Sequence, residues 1–532
     1  MKLLLSTKNI ALAGLFTLAT QTASALEQWV RLPADGPGLW TDGANWDLNF
    51  PPFSNEEGRI DNGGTAVIDV TQTDPNTGVA GEILTGSVTL GSQPGASGNL
   101  FMTNGVLYIQ NTDVRIGGNP VVAIGGTVPA IGGTGIFTQI GGSVIENAGN
   151  LNIGLRGTAP LTDTNVASGT YNLSEADTNF PSLYEVRYGF VAVIGNRAKG
   201  TLNQSGGTLE VKGIALTGNA AGTNGSLIHL GRNALVGTSY TSGTYNLSGG
   251  IARSAIFRFG ATTTNTSTNV FSLSGTGKLQ TRTIDFLAPA AGGSTTVNII
   301  NFTGGTLSSH TNALSITNNG GTLSPYTIDF TTVSPLTSAT ITPIGTMVFT
   351  RSNSYNQVSG TLAIDISSTG NDFVDIGASP TDVGTASLAG TIAVNVLDGF
   401  EPASGATFDI LTADSITSTA SVTGSTAGGK GFQSSIVTGG DGRMVLRLTV
   451  VAAVSSGPVI TSSAVVGGFF KLTFSGTTGA TYSIVSSTDI ATPLTSWTVA
   501  GTATESPSGS GQFQFTDTLP ATGQRFYAVR LP

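Results

Sequence analysis

The sequence predicts an all-β chain: a right-handed parallel β-helix, or solenoid, with an N-terminal cap and a small C-terminal β-sandwich. Three observations predict it. Glycine supplies 74 of 532 residues, about twice the usual share, so tight corners are frequent. Val, Ile, Leu and Phe recur at every second residue between those glycines, which is the period of a strand. One phrase also returns along the chain. It reads GIFTQIGGSV from Gly135, GTYNLSEAD from Gly169, GTLNQSGGTLEV from Gly200, GTYNLSGGIA from Gly243, VFSLSGTGKLQ from Val270 and INFTGGTLSS from Ile300. Self-similarity of this kind marks a stack of repeats. No amphipathic helical periodicity follows residue 30.

Taken in order, residues 1–25 read as a secretory signal peptide. Lys2 and Lys8 precede an apolar stretch from Ile10 to Ala19, and Ala23-Ser24-Ala25 is a small-x-small cleavage site. No later window approaches the ~20 apolar residues of a membrane helix, so no transmembrane segment is expected after its removal. Residues 26–59 read as a cap. Trp29, Trp40, Trp46 and several prolines fall there, suited to covering strand edges that would otherwise aggregate. The competing reading makes Trp40 and Trp46 a sugar-stacking platform.

Residues 60–345 read as the repeats proper. Each has a strand, a Gly-Gly or Ser-Gly corner where positive φ costs nothing, and a second strand. A further phrase, apolar-x-apolar-Gly, closes many units, as in LNIG at Leu151, AVIG at Ala192 and LIHLG at Leu227. On the order of a dozen coils of roughly 20–25 residues are expected. The recurring Asn of YNLS, LNQS and LNIG suits either inward or corner ladders of side-chain amides, or left-handed turns. Residues 346–451 read as the terminal part of the solenoid and 452–458 as a small-residue linker. Residues 459–532 hold the strand-like runs GFFKLTF, TYSIVSS, SWTVAG, QFQFTD and RFYAVRL, a sandwich pattern.

Several of these pieces resemble one known family. The opening GLWTDGANWDLNFPP, the following DNGGTAVIDV, the G-x-Y-N-x-S-G-G coils and the stretch from Tyr355 to Leu411 (YNQVSGTLAIDI, DFVDIG, TASLAGTIAVNVLDGFEPASGATFDIL) are similar to secreted proteins with autotransporter-associated β-strand repeats, and to their PEP-CTERM-type relatives. The resemblance implies a β-helix passenger. No membrane β-barrel of the autotransporter kind is expected from the residues after 455.

Composition narrows the chemistry. The chain has no cysteine, a net charge of −9 and only two histidines, His229 and His310. Thiol catalysis and cysteine-ligated metals are excluded, and a nucleic-acid partner is not expected without clustered Lys and Arg. Aspartate recurs between apolar strand residues at Asp69, Asp285, Asp329, Asp365, Asp375 and Asp409, which directs the carboxylates outward. Asp285 and Asp329 are placed in one outward column. Three readings compete for these acids: a solubilising face, calcium binding, or acid/base glycan cleavage assisted by Arg253 or Arg258. Five residues apart on a strand, those two arginines face opposite sides unless a bulge intervenes. Asn371, Asp372 and Asp375 form the best local calcium candidate. No other cofactor is expected. The leading expectation is a non-catalytic extracellular or cell-surface protein, structural or adhesive, with a polysaccharide, a cell-surface protein or a second copy as partner. A secreted polysaccharide-active β-helix enzyme and a carbohydrate-binding protein are the alternatives.

Overall fold

A computed structural model describes residues 26–530 apart from 94, 111–113, 117–132, 148, 156–166, 188–190, 213–225, 233–240, 261–266, 288–295, 330–339, 351, 378–381, 453–457, 477–478, 508–509 and 519–523. The expected signal peptide and most of the expected linker lie outside the described residues. The chain is nearly all-β, with three one-turn 3-10 helices among the described residues. Its contacts divide it into two compact units. One runs to Pro402 and takes in Ala406–Gly424 and Phe432–Thr449, and the other comprises Val450–Pro532 with Ala403–Gly405 and Ser425–Gly431.

The first unit is built from three parallel ladders that the chain visits in cyclic order. Asn62–Ile68, Glu82–Thr85 and Ser87–Leu90 start one round. Ser97–Met102, Val106–Ile109 and Val114–Ile116 make the next, each paired in parallel with its counterpart in the round before. Thr134–Gln139, Ser143–Glu146 and Leu151–Leu155 repeat the order. Later strands bend from one ladder into another without a break: Ser242–Phe259 contributes to all three. The third ladder ends on Thr407–Ala413, which pairs antiparallel with Met444–Val451. Most rounds are longer than the expected 20–25 residues, although one sets Asn318 opposite Phe302 after only 16. Aligned asparagines in the first ladder lie 31 residues apart at Asn172–Asn203 and 43 apart at Asn203–Asn246. Three faces and their corners need that much chain, so the expected dozen coils is an overcount.

Alternation explains the core. In the first ladder Leu100, Phe137, Tyr171, Leu202, Tyr245 and Phe271 stand opposite one another in successive rounds, and each is at most 1% exposed. Burying a side chain of this size stabilises by about 1.5–3 kcal/mol. The glycine that opens four of the six phrases, at positions 135, 169, 200 and 243, lies two residues before this column. At Gly243 an added Cβ would come within 2.3 Å of the Ile194 carbonyl oxygen, and at Gly200 within 2.2 Å of that of Ile153. Two backbones meet there, which is why the phrase begins with glycine.

The corners have a second recurring device. Gln139 Nε2 donates to the Gly142 carbonyl (2.7 Å) and Gln204 Nε2 to that of Gly207 (3.1 Å). Their Oε1 atoms accept from the hydroxyls of Tyr171 and Tyr245 (2.5 Å each). Asn318 and Gln357 repeat the bond to Gly321 and Gly360. Each buried amide thus satisfies a corner carbonyl that would otherwise go unpaired.

The N-terminal residues join these ladders. Leu26–Gln28 pairs in parallel with Glu57–Arg59 and Gly38–Leu39 with Ala66–Val67. Trp29, Trp40 and Trp46 pack edge to face with ring centroids 5.1 and 4.9 Å apart, and all three are buried.

The second unit has a four-stranded sheet (Val459–Val466, Phe469–Ser475, Gln512–Thr518, Thr504–Glu505) and a three-stranded one (Thr498–Thr502, Ser483–Ser487, Phe526–Arg530), both antiparallel. Leu472, Phe474 and Phe513 from the first and Ile484 from the second share one apolar core.

Candidate functional site

Over three successive rounds the outward face of the first ladder is polar. Ser168, Thr170 and Asn172 align with Lys199, Thr201 and Asn203, and those with Ser242, Thr244 and Asn246. The asparagines of YNLS and LNQS form an amide ladder, but on the outward strand face rather than inward or at a corner as expected. Asn203 Nδ2 donates to Asn172 Oδ1 and Asn246 Nδ2 to Asn203 Oδ1, both at 2.9 Å. The amides run along the outside of the sheet, because they alternate with the buried aromatic column.

Five of the six expected outward aspartates hold a neighbour. Asp285 takes both Nε and Nη2 of Arg258 (2.8 and 2.6 Å), its partner one round earlier. Asp409 takes Nε and Nη2 of Arg447 (2.6 and 3.0 Å). Asp375 takes Nη1 of Arg443 (2.9 Å), Asp365 accepts from Asn395 Nδ2 (2.9 Å), and Asp69 accepts the Thr71 N–H (2.8 Å). The expected Asp285–Asp329 column does not form in the ladder. Asp329 lies on Thr327–Asp329, which pairs antiparallel with Thr340–Thr342, and its side chain is outside the described residues. Arg253 and Arg258 do both face outward, because the chain turns a corner between Ser254 and Ile256 as it passes from the second ladder to the third.

The densest charge is one that sequence reasoning missed. Glu185, Glu210, Arg253 and Gln280 succeed one another in register in the second ladder. Arg187 and Lys212 pair with Glu185, Lys212 Nζ lying 3.0 Å from its Oε2 and 3.9 Å from Glu210. Burial works against the Glu185 carboxylate, but the Arg187 and Lys212 hydrogen bonds outweigh it and hold its pKa below the usual value. The signal was present in YEVR and LEVK, which put Glu-Val-Arg and Glu-Val-Lys at one place in two repeats. Glu185, held ionised by Arg187 and Lys212, is not a proton donor at neutral pH, as a general acid must be.

The other expected sites are also occupied by their own surroundings. Trp40 and Trp46 are 0% and 1% exposed, and Trp46 Nε1 donates to the Trp40 carbonyl (2.7 Å). Neither ring offers a face to a sugar, so a platform at these two positions does not fit the geometry. Asp372 is fully buried and accepts the N–H groups of Gly345 and Asp365 on its two oxygens (2.8 and 2.9 Å). Burial pushes its pKa up to about 8 against those two donors. Asn371 Nδ2 donates to the Asp372 and Asp409 carbonyls (2.7 and 2.8 Å). The calcium set Asn371, Asp372 and Asp375 therefore does not converge. Among the described residues no group of three or more His, Cys, Asp or Glu side chains is placed to hold a metal.

His229 is buried and bonds through Nε2 to the Gly260 carbonyl (2.7 Å). Burial lowers its pKa to about 4, so the ring is neutral. His310 bonds through Nδ1 to the Thr346 carbonyl (2.6 Å). In the second unit an open cleft of about 230 Å³ is lined by Trp497 with Ser486, Ser487, Thr488, Ser496, Thr498 and Arg525. Trp497 stands apart in sequence from the three clustered tryptophans, in the run SWTVAG. No protein-family model matches the chain, and no curated protein matches it significantly.

Proposed function

We propose that this is a secreted, non-catalytic extracellular or cell-surface protein whose first unit is a right-handed parallel β-solenoid acting as a stiff structural or adhesive element. The second unit, on this reading, is a small β-sandwich. The observation that carries it is the pairing of the outward acids. Asp285, Asp375 and Asp409 each hold an arginine rather than one another, which leaves the Ser/Thr/Asn face of residues 168–172, 199–203 and 242–246 as the surface on offer. The cyclic order of the ladders supports the solenoid, and the near-universal hand of parallel crossovers supports the right-handed sense. The signal-like residues 1–25 and the likeness to autotransporter-associated repeat proteins support export. Partners on this reading are an extracellular polysaccharide or a cell-surface protein, met by a surface that recurs from round to round.

The test incubates purified protein with soluble and insoluble polysaccharides, with and without calcium. It measures protein depletion and new reducing or unsaturated ends. The expected result is no new ends on any substrate. New ends that vanish in Asp285→Ala would overturn the reading and place glycan cleavage on the outward face.

Carbohydrate binding is the second reading, favoured by the Trp497 cleft, where an indole stands beside several hydroxyls. Depletion abolished by Trp497→Ala but not by Asn203→Ala assigns binding to that cleft. The reverse assigns it to the polar face of the first ladder.

A further inference from the structure

The four-stranded sheet of the second unit ends on Val459–Val466, which pairs antiparallel with Phe469–Ser475. All eight of its residues are exposed. Val459 is 60% exposed, Ile460 51%, Val465 61% and Val466 50%. Natural edge strands are kept short or carry charge, proline or bulges, because unpaired N–H and C=O groups recruit other strands. This edge reads VITSSAVV, with neither charge nor proline. Its one register slip, between Ile460 and Ser462, leaves Ser462–Val466 regular.

The backbone groups that are free can be assigned. Gly467 and Gly468 both have positive φ (60° and 81°), forming a two-residue hairpin loop closed by Val466 and Phe469. Bonding alternates from that closing pair. Val466, Ala464 and Ser462 therefore bond inward, and Ser463 and Val465 direct their N–H and C=O groups away from the sheet.

We propose that Val459–Val466 pairs antiparallel with the same strand of a second copy, about a two-fold axis through Ala464, so that two four-stranded sheets become one. This register sets Ser463 opposite the partner's Val465, each with both backbone groups free, and Ala464 opposite itself. It is the self-complementary contact that closes a symmetric dimer. Charge favours a second copy over a charged peptide. Residues 459–532 carry Lys471, Arg525 and Arg530 against Asp489, Glu505 and Asp517, so they are neutral, whereas the whole chain is at −9. Copies meeting through this segment avoid the repulsion that the rest of the chain would impose.

The experiment is sedimentation equilibrium of the full chain over a range of concentrations. The wild type is expected to reach the mass of two chains. Ala464→Lys and Ala464→Glu each place like charges across the two-fold, and each is expected to raise the dimer dissociation constant by roughly tenfold or more. An equimolar mixture of the two is expected to restore the dimer. Ser463→Pro removes an N–H that faces away from the sheet, a place where an edge strand tolerates proline, and is expected to give folded monomer. A wild type that stays monomeric, single variants that still dimerise, or a mixture that stays monomeric would each overturn the proposal.

Discussion

Asp372, Glu27 and His229 show how individual residues set the pH response of the first unit. Burial raises the two acids, Asp372 from 3.8 to about 8 and Glu27 from 4.5 to about 7, the latter helped by Asp47 and Glu56, while burial lowers His229 from 6.5 to about 4. A raised acid binds more protons when folded, so its contribution is complete below the unfolded pKa and is lost as pH climbs through the folded one. A lowered histidine acts the other way, losing stability as pH falls from 6.5 to 4. Above pH 6.5 only the acids remain, and near pH 8 only Asp372. Thermal stability of the first unit is therefore expected to fall between pH 6.5 and 8, measured by circular dichroism melts. Asp372→Asn is expected to abolish most of that fall. It also lowers stability at pH 6.5 by about 1–3 kcal/mol, because an amide N–H₂ then faces a backbone N–H donor. An unchanged slope in the variant would rule out Asp372 as its source.

At the scale of the element, the corner is the unit that repeats. A glutamine or asparagine three residues before a glycine ties off that glycine's carbonyl from inside, as Gln204 does for Gly207. Gln204 Nε2 also reaches the Ile251 carbonyl (3.0 Å), and its Oε1 takes the Tyr245 hydroxyl. Gln204→Leu is close to isosteric but leaves these groups without a partner. It is expected to cost about 2–4 kcal/mol in chemical denaturation, since each unsatisfied buried group costs about 1–3 kcal/mol. Asn203→Ala, one residue away on the outward side, is expected to cost under about 1.5 kcal/mol, because water replaces its two amide bonds. Equal losses in the two variants would show that the corner amide has no special part.

For the whole molecule, the contrast lies between charges that are paired and a surface that is not. The outward acids are spent on arginines and amides, and Asn371, Asp372 and Asp375 are spent on backbone and Arg443. Calcium that bound only the folded chain would raise its melting temperature by mass action. Neither added calcium nor a chelator is expected to move the melting midpoint in differential scanning calorimetry. A calcium-dependent rise abolished by Asp375→Asn would restore the metal site that the sequence suggested.

The sequence by itself determined the strand period, the glycine corners and the repeated phrase, because alternation and turn chemistry are local and leave their mark residue by residue. Most strands of the second unit were legible for the same reason; the uncharged edge Val459–Val466, with its run of small residues, carries no such alternation. Only the tertiary structure decided the rest. Residues 31 to 43 apart become neighbours, so the length of a round, the partner of each outward aspartate and the Glu185–Glu210–Arg253 column depend on register between rounds. That register is set by packing inside the ladders, where Tyr171, Leu202 and Tyr245 must stack. Trp40 and Trp46 make the same point: their rings suit a sugar or a core equally well, and burial in the folded chain committed them to the core.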